Sequence, residues 1–275
     1  MKVFGHRLSL TVIIGVLIIL ACAGGAIFAP WVAPYDPNLP MGGRWDPPSP
    51  EHWLGLDQIG RDMFSRMLYG GRISIGLAML ATCLAFVVGV VTGLAATIFG
   101  GWVDTLFSRI ADVVLSIPNL MWALIILSGF GTGAGIIVLT IGLLYSVYVF
   151  RVARSVAMNI VVLEYVEAAR LRGEGLTWVI LREVLPNALP PLAAEFGLRF
   201  CFAFLFVAAL SFLGLGVQPP DADWGSMVKE SALAIPAGIA APLYPAAAIA
   251  LMTIGVNMVV DWLLSIYSRP QGENA

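Results

Sequence analysis

Long uncharged stretches alternate with short polar ones along this chain, and about 20 apolar residues are what a helix needs to cross a bilayer. On that criterion residues 8–29 predict a first span and residues 73–99 a second, ending at Gly100-Gly101. Residues 113–150 carry no charge, and the cluster Gly129-Phe130-Gly131-Thr132-Gly133-Ala134-Gly135 predicts a turn within them. A third span then falls near 105–128 and a fourth near 136–157. Residues 188–213 predict the fifth and 242–266 the sixth. The expected class is an all-α membrane protein of six transmembrane helices, with both termini on one side.

The polar stretches differ in kind. Residues 30–50 are rich in Pro, Gly and Asp and predict an irregular loop. After it, Ile59, Met63, Arg66, Met67 and Gly70 are spaced as in a short interfacial helix ahead of the second span. Gln218-Pro219-Pro220 ends the fifth helix, and residues 221–234 predict a second surface helix with Trp224 near the headgroups, where indoles are favoured. The stretch Glu164 to Asn187 is a polar island holding Glu164, Glu167, Arg170, Arg172, Glu174, Arg182 and Glu183. Its first half suits a helix in which Glu167 can pair with Arg170. Gly173 and Gly175 interrupt it, an amphipathic return follows, and Pro186 is expected to stop that return before the fifth span. Such a helix, glycine break and return would form a compact knob. A loop that only reverses the chain can be far shorter, so the knob points to contact with a partner; the alternative is an amphipathic loop lying flat on the bilayer.

Composition agrees with a membrane protein: 59% hydrophobic residues and 12% charged, against about 25% charged in soluble domains, with a mean hydropathy of +0.90. The net charge of −2 does not indicate a nucleic-acid surface. Cys22, Cys83 and Cys201 each sit in an apolar run, so neither a disulfide framework nor a metal site is expected. The uncharged run from Leu8 to Tyr35 exceeds the roughly 7–15 residues of a cleaved signal core, so a retained first span is expected. With the N-terminus inside, the cytoplasmic face would hold Lys2, Arg7, Arg151, Arg154, Arg170, Arg172, Arg182 and Arg269. The outer face would hold Arg44, Arg61, Arg66, Arg72 and Lys229. That bias places the island in the cytoplasm.

Ionisable groups inside spans are costly and often functional. Asp112 lies three residues after Arg109, and Arg199 four after Glu195, so each couple can pair on one helix face. Both are expected toward the cytoplasmic ends of their helices. They read either as neutralised structural pairs or as charges lining a pathway. Pro118, Pro190, Pro191 and Pro245 can kink their helices, and Gly89-x-x-x-Gly93 suits close helix packing.

Within the island, Glu167-Ala168-Ala169, then Gly173, then Glu183-Val184-Leu185-Pro186 resembles the "EAA" loop of prokaryotic ABC importer permeases; Glu183 stands where that family often has isoleucine. Other stretches resemble the dipeptide/oligopeptide (nickel/opine) importer family, and the C-type of its two permeases. They are His52-Trp53-Leu54-Gly55-x-Asp57-x-x-Gly60-Arg61-Asp62, Ser65-Arg66-x-x-Tyr69-Gly70, Arg72-x-Ser74, Gly100-Gly101-Trp102-Val103-Asp104, the run Ser211 to Pro220, and Trp224-Gly225. The resemblance covers about residues 50 to 270.

It implies the type I ABC importer permease fold with cytoplasmic termini, in the bacterial inner membrane. The divisions would be a tail (1–7), a first helix (8–29), a periplasmic loop (30–72), a core of five helices (73–270) containing a coupling loop (163–187), and a second tail (271–275). Implied partners are a homologous sister permease, two cytoplasmic ATP-binding subunits, an extracytoplasmic substrate-binding protein and the lipid bilayer, with no nucleic acid. Coupling to the ATPase would fall to Glu164, Glu167, Ala168, Ala169, Arg170, Gly173, Leu185 and Pro186; the alanines permit close approach and Glu167 offers a charge. Asp112, Pro118, Glu195 and Arg199 are the candidates for the substrate pathway. No catalytic residue, metal or cofactor is expected on this chain. Its only lysines, Lys2 and Lys229, lie outside any G-x-x-x-x-G-K-[ST] loop, so ATP hydrolysis would belong to another polypeptide. A stand-alone secondary transporter or channel is the alternative, though such carriers often show repeated halves and no internal repeat stands out here. A membrane enzyme would need site parts, such as paired histidines, that the spans lack.

Overall fold

The computed structural model describes residues 2–3, 6–7 and 9–267. A short antiparallel ladder of β1 (Lys2–Val3) and β2 (His6–Arg7) precedes α1 (Leu10–Ile27), whose first turn is capped by the Ser9 hydroxyl. The four-residue α2 (Ala29–Val32) leads into irregular residues 33–62. Asp62 accepts from the Ser65 N–H at 2.8 Å and starts α3 (Met63–Phe99). There follow α4 (Gly101–Leu115), α5 (Asn119–Phe130) and α6 (Ala134–Val161). Next come α7 (Glu164–Leu171) and α8 (Leu176–Val179), then a π-helical turn (Ile180–Val184) that runs on into α9 (Leu185–Phe212). After it stand α10 (Trp224–Ser231), a 3₁₀ turn (Ala232–Ala237) and α11 (Leu243–Tyr267). Leu8, Arg269 and the tail 271–275 lie outside the described residues.

Among the described residues five helices are long and apolar enough to cross a membrane: α1, α3, α6, the run Leu176–Phe212 and α11. The expected third span at 105–128 is not one helix. It is α4 and α5, meeting at 86°. Pro118 has no N–H to give and its ring pushes Ile117 out of helical geometry, so α4 stops and α5 starts afresh.

Three more expectations are corrected. The interfacial helix around residues 59–70 is the first turns of α3, because nothing between Met63 and Ile73 breaks the helix. Pro186 does not stop the return helix. The Leu185 N–H reaches back five residues to the Ile180 carbonyl, and this wider turn makes room for the proline ring beside it. Trp224 does not face outward from its surface helix: it is 4% exposed, and its indole N–H donates to the Met67 carbonyl at 2.8 Å. An indole donor that finds a partner inside loses nothing by burial.

The bundle is organised on the seam between α3 and α6. A Cβ at Gly89 would stand 2.6 Å from the Ser146 carbonyl oxygen and from Val149 Cβ; at Gly93 it would stand 2.9 Å from Ala153 Cβ and the Phe150 carbonyl oxygen. The two backbones therefore touch, as the glycine spacing predicts, and the helices run in the same direction. Around this seam Ala85, Leu77, Ile141, Tyr145, Val149, Phe200, Phe204 and Val207 form the main core with α9. A second core at the far end joins α6 and α9 to α7 and α8.

At the other end, residues 33–62 and α10 fold into a cap over the start of α3. Asp57, 2% exposed, accepts from the Ile59 and Arg61 N–H groups at 2.9 Å, from Arg61 Nε at 2.6 Å and from Arg66 Nη1. Glu230 of α10 accepts from Arg61 Nη2 at 3.1 Å and from Arg66 Nη1 at 3.0 Å. His52 contacts Asp62 at 2.9 Å, and the Trp224 N–H donates to Ser74 Oγ at 2.9 Å. Burial pushes the Asp57 carboxyl up, but the two backbone N–H groups and the arginines outweigh it and hold the carboxyl below its ordinary value. Strings that stand apart in sequence, His52 to Ser74 and Ser211 to Glu230, are thus one polar cluster.

The seam and the cap each make a prediction. Gly89→Leu has to push the helices apart at an overpacking cost of about 1–3 kcal/mol or more. It should lower the thermal midpoint in detergent, whereas Gly76→Ala, in open space on the same helix, should leave it unchanged or slightly raised. A folded-state pKa lowered below the unfolded value means that Asp57 stabilises the cap above the ordinary carboxylate range and ceases to as pH falls through the lowered value. Protection factors for hydrogen exchange across residues 40–62 should therefore hold steady from pH 7 to 5 and fall below about pH 4. Asp57→Asn should lack that protection at every pH, by about 3–5 kcal/mol.

Candidate functional site

The knob predicted from the polar island is present at the end of the bundle opposite the cap. Val166 and Ala169 of α7, Val179 of α8, and Val184 beyond it are buried, and they pack with Ala157, Ala188 and Leu192. Tyr165 lies beside Glu183: burial and then that carboxylate push its phenol above its ordinary value. Gly173 ends α7 at a φ of +83° with open space around it, so a side chain there would strain the backbone rather than collide.

The candidate coupling residues divide into two groups. Glu164, Glu167, Ala168, Arg170, Gly173 and Pro186 are exposed, and Leu185 is half-buried. Ala169 faces the other way, at 0% exposure. Its small side chain lets α7 close on the return helix. The expected Glu167–Arg170 pair does not form: among the described residues no charge from Glu164 to Glu183 has an ion-pair partner. Sequence reasoning passed over Leu171, which is 82% exposed at the tip between two arginines. An apolar residue inside a charged run was the available signal.

The membrane-depth charges are also redistributed. Asp112 pairs with Arg151 of α6 at 2.7 Å, not with Arg109, because α4 turns that face toward α6. Asp104 takes Arg154 through both carboxylate oxygens, with Nη2 donating at 2.6 Å. From Asp104 to Asp112 the chain climbs about 12 Å along α4 while the partners on α6 shift by about 4.5 Å. So α4 lies steeply across α6. A cavity of about 380 Å³, lined by Ser108, Asp112, Phe150, Arg151 and Arg154, fills the wedge between them. Pro118, at the start of α5, acts through the bend, and its carbonyl accepts from the Met121 N–H at 2.9 Å.

Glu195 and Arg199 pair as expected, Nε donating to Oε1, but not toward a helix end. Arg199 stands at the middle of α9, about 20 Å from either end of that helix at 1.5 Å per residue. Its guanidinium carbon lies 4.8 Å from the Tyr148 ring centre and 5.3 Å from that of Phe202. Tyr148, also mid-helix, accepts from Asn119 Nδ2 of α5 at 3.2 Å. Three helices thus meet in one polar belt, beside the exposed Phe202.

The family model described as "Binding-protein-dependent transport system inner membrane component" matches residues 72–270. The Dipeptide transport system permease protein DppC of Alkalihalophilus pseudofirmus is 35% identical over 253 residues, covering 91% of this chain and 83% of that protein. The Probable D,D-dipeptide transport system permease protein DdpC of Escherichia coli K12 is 34% identical over 96% of this chain and 88% of its own length. The Glutathione transport system permease protein GsiD of Escherichia coli O6:K15:H31 is 33% identical over 94% and 85%. With the helical bundle, the exposed charged knob and a match across most of its length, this chain belongs to the family of binding-protein-dependent transport system inner membrane components.

Proposed function

We propose that this chain is the membrane-embedded permease subunit of an ATP-driven importer for peptides or related small solutes. It forms half of the passage and couples to separate ATPase subunits through α7 and its turn. The observation that carries this reading is the knob itself: a packed base built into the bundle, under a tip whose charges and Leu171 are unsatisfied among the described residues. A loop rigid at its root transmits displacement to α6 and α9, between which it is inserted. The names of the relatives, transport permeases for dipeptides and glutathione, support the substrate class. The absence of a phosphate-loop lysine in the sequence supports placing hydrolysis on partner subunits.

In this reading the knob end is cytoplasmic and the cap end faces outward, in a bacterial inner membrane. Arginine placement supports that orientation. Arg61 and Arg66, which weigh against it in the raw count, are neutralised by Asp57 and Glu230 inside the cap. The bent α4–α5 pair would be the sixth span. A sister permease would cover the face of α5, α6 and α9 that carries the polar belt, and a substrate-binding protein would deliver solute to the cap. Closure of the ATPase dimer would move the knobs and turn the passage from one side to the other. No cofactor or metal is assigned to this chain.

Two outcomes follow for the chain with its partners in proteoliposomes. Glu167→Ala and Gly173→Val should each lower ATP-driven peptide uptake at least tenfold while the protein remains in the membrane; wild-type uptake in both would refute the coupling role. Leu171→Glu should reduce recovery of the ATPase on gentle-detergent purification, and a chain that purifies alone and transports without ATP would replace this reading with a secondary carrier.

A further inference from the structure

An arginine inside a span must be matched by something, and the match to Arg199 is incomplete. Its side chain keeps 16% exposure, and Glu195, at 10%, engages only Nε. Among the described residues Nη1 and Nη2 make no hydrogen bond. The guanidinium is otherwise held by geometry: Tyr148 and Phe202 both lie within cation–π range, and Asn119 fixes the Tyr148 hydroxyl. Phe202 is 51% exposed, so the cradle opens onto a face that no element among the described residues covers. Lipid is not an acceptable neighbour for a charge within a span.

We infer that Arg199 is a carboxylate-receiving residue of the passage, holding the carboxylate of a peptide-like solute in transit on its Nη edge. This rests on the importer reading above. The planar fork suits a carboxylate in two parallel hydrogen bonds, and a fork already fixed by Glu195 and two rings loses little freedom on receiving it. Glu195 also makes the hold brief. It half-neutralises the guanidinium, so the solute carboxylate shares its partner and leaves readily. An unpaired arginine there would retain an anion, and an apolar wall would offer a charged solute no station.

The test uses the assembled importer in proteoliposomes, with loaded binding protein outside, ATP at the nucleotide side and radiolabelled tri-alanine as probe. The quantity read is tri-alanine imported per ATP hydrolysed. Arg199→Gln should lower it at least tenfold, and Arg199→Lys, which keeps the charge, should recover a third or more of the wild-type value. Glu195→Gln, which leaves the guanidinium to the solute alone, should lower kcat and KM for tri-alanine together by at least threefold. An unchanged ratio in Arg199→Gln, lysine no better than glutamine, or loss of the sister permease from the purified complex would each overturn the inference. The last would mean that a neighbouring subunit supplies the carboxylate. If the wild-type assembly itself shows no ATP-driven uptake, the importer reading fails first and this inference with it.

Discussion

The contact of α3 and α6 through Gly89 and Gly93 is the constraint on which the rest of the structure depends. In a bilayer, helices gain no hydrophobic free energy by leaving lipid for one another, so close backbone approach and dispersion must hold them. With no side chain on α3 at Gly89 and Gly93, these two helices run side by side in the same direction. That places the cap at the start of α3 and the knob at the end of α6, at opposite ends of one rigid pair. A disturbance at either end is then felt along a common axis.

Charge is distributed according to the packing this axis creates. Several charges that the chain covers are paired: Asp57 and Glu230 with Arg61 and Arg66 in the cap, where Arg66 Nε and Nη2 still find no acceptor among the described residues, and Asp104 with Arg154 of α6. Buried Asp223 is held by Ser211 and Ser226 instead. Among the described residues the knob's acids and arginines have no ion-pair partner, and Arg199 keeps the Nη edge of its guanidinium free. Burying an unpaired charge costs several kcal/mol, so unpaired groups accumulate where solvent, solute or another subunit supplies the match.

Much of the fold is legible before any coordinate is known, because helix-length apolar runs have one stable form in lipid. Most long spans come out within a few residues of their observed limits; α3 is the exception, starting at Met63, ten residues before the expected limit at residue 73. Some misreadings are local, such as the early start of α3 and the wide turn at Pro186, and others are a local signal settled by a distant residue. Pro118 was visible as a possible kink, and the structure makes it an 86° corner. Trp224 carries the signal of an interfacial indole, and the Met67 carbonyl, far away in sequence, takes it inside. Asp112 had a suitable arginine three residues away and chose Arg151 instead.

By itself the sequence determined that the chain is a helical membrane protein, that it carries a charged loop too large for a simple reversal, and that its strings match a permease family. These follow from local composition and spacing, which the bilayer reads directly. Tertiary structure alone decided which charges are satisfied. Ala168 and Ala169 are indistinguishable in the sequence, yet one faces outward and the other seals the root of the knob. Arg66 and Arg199 are both arginines close to acids, yet one is enclosed in the cap and the other keeps an open edge. The reason is physical: an ion pair is worth what its surroundings exclude, and the surroundings come from helices that the sequence does not place together.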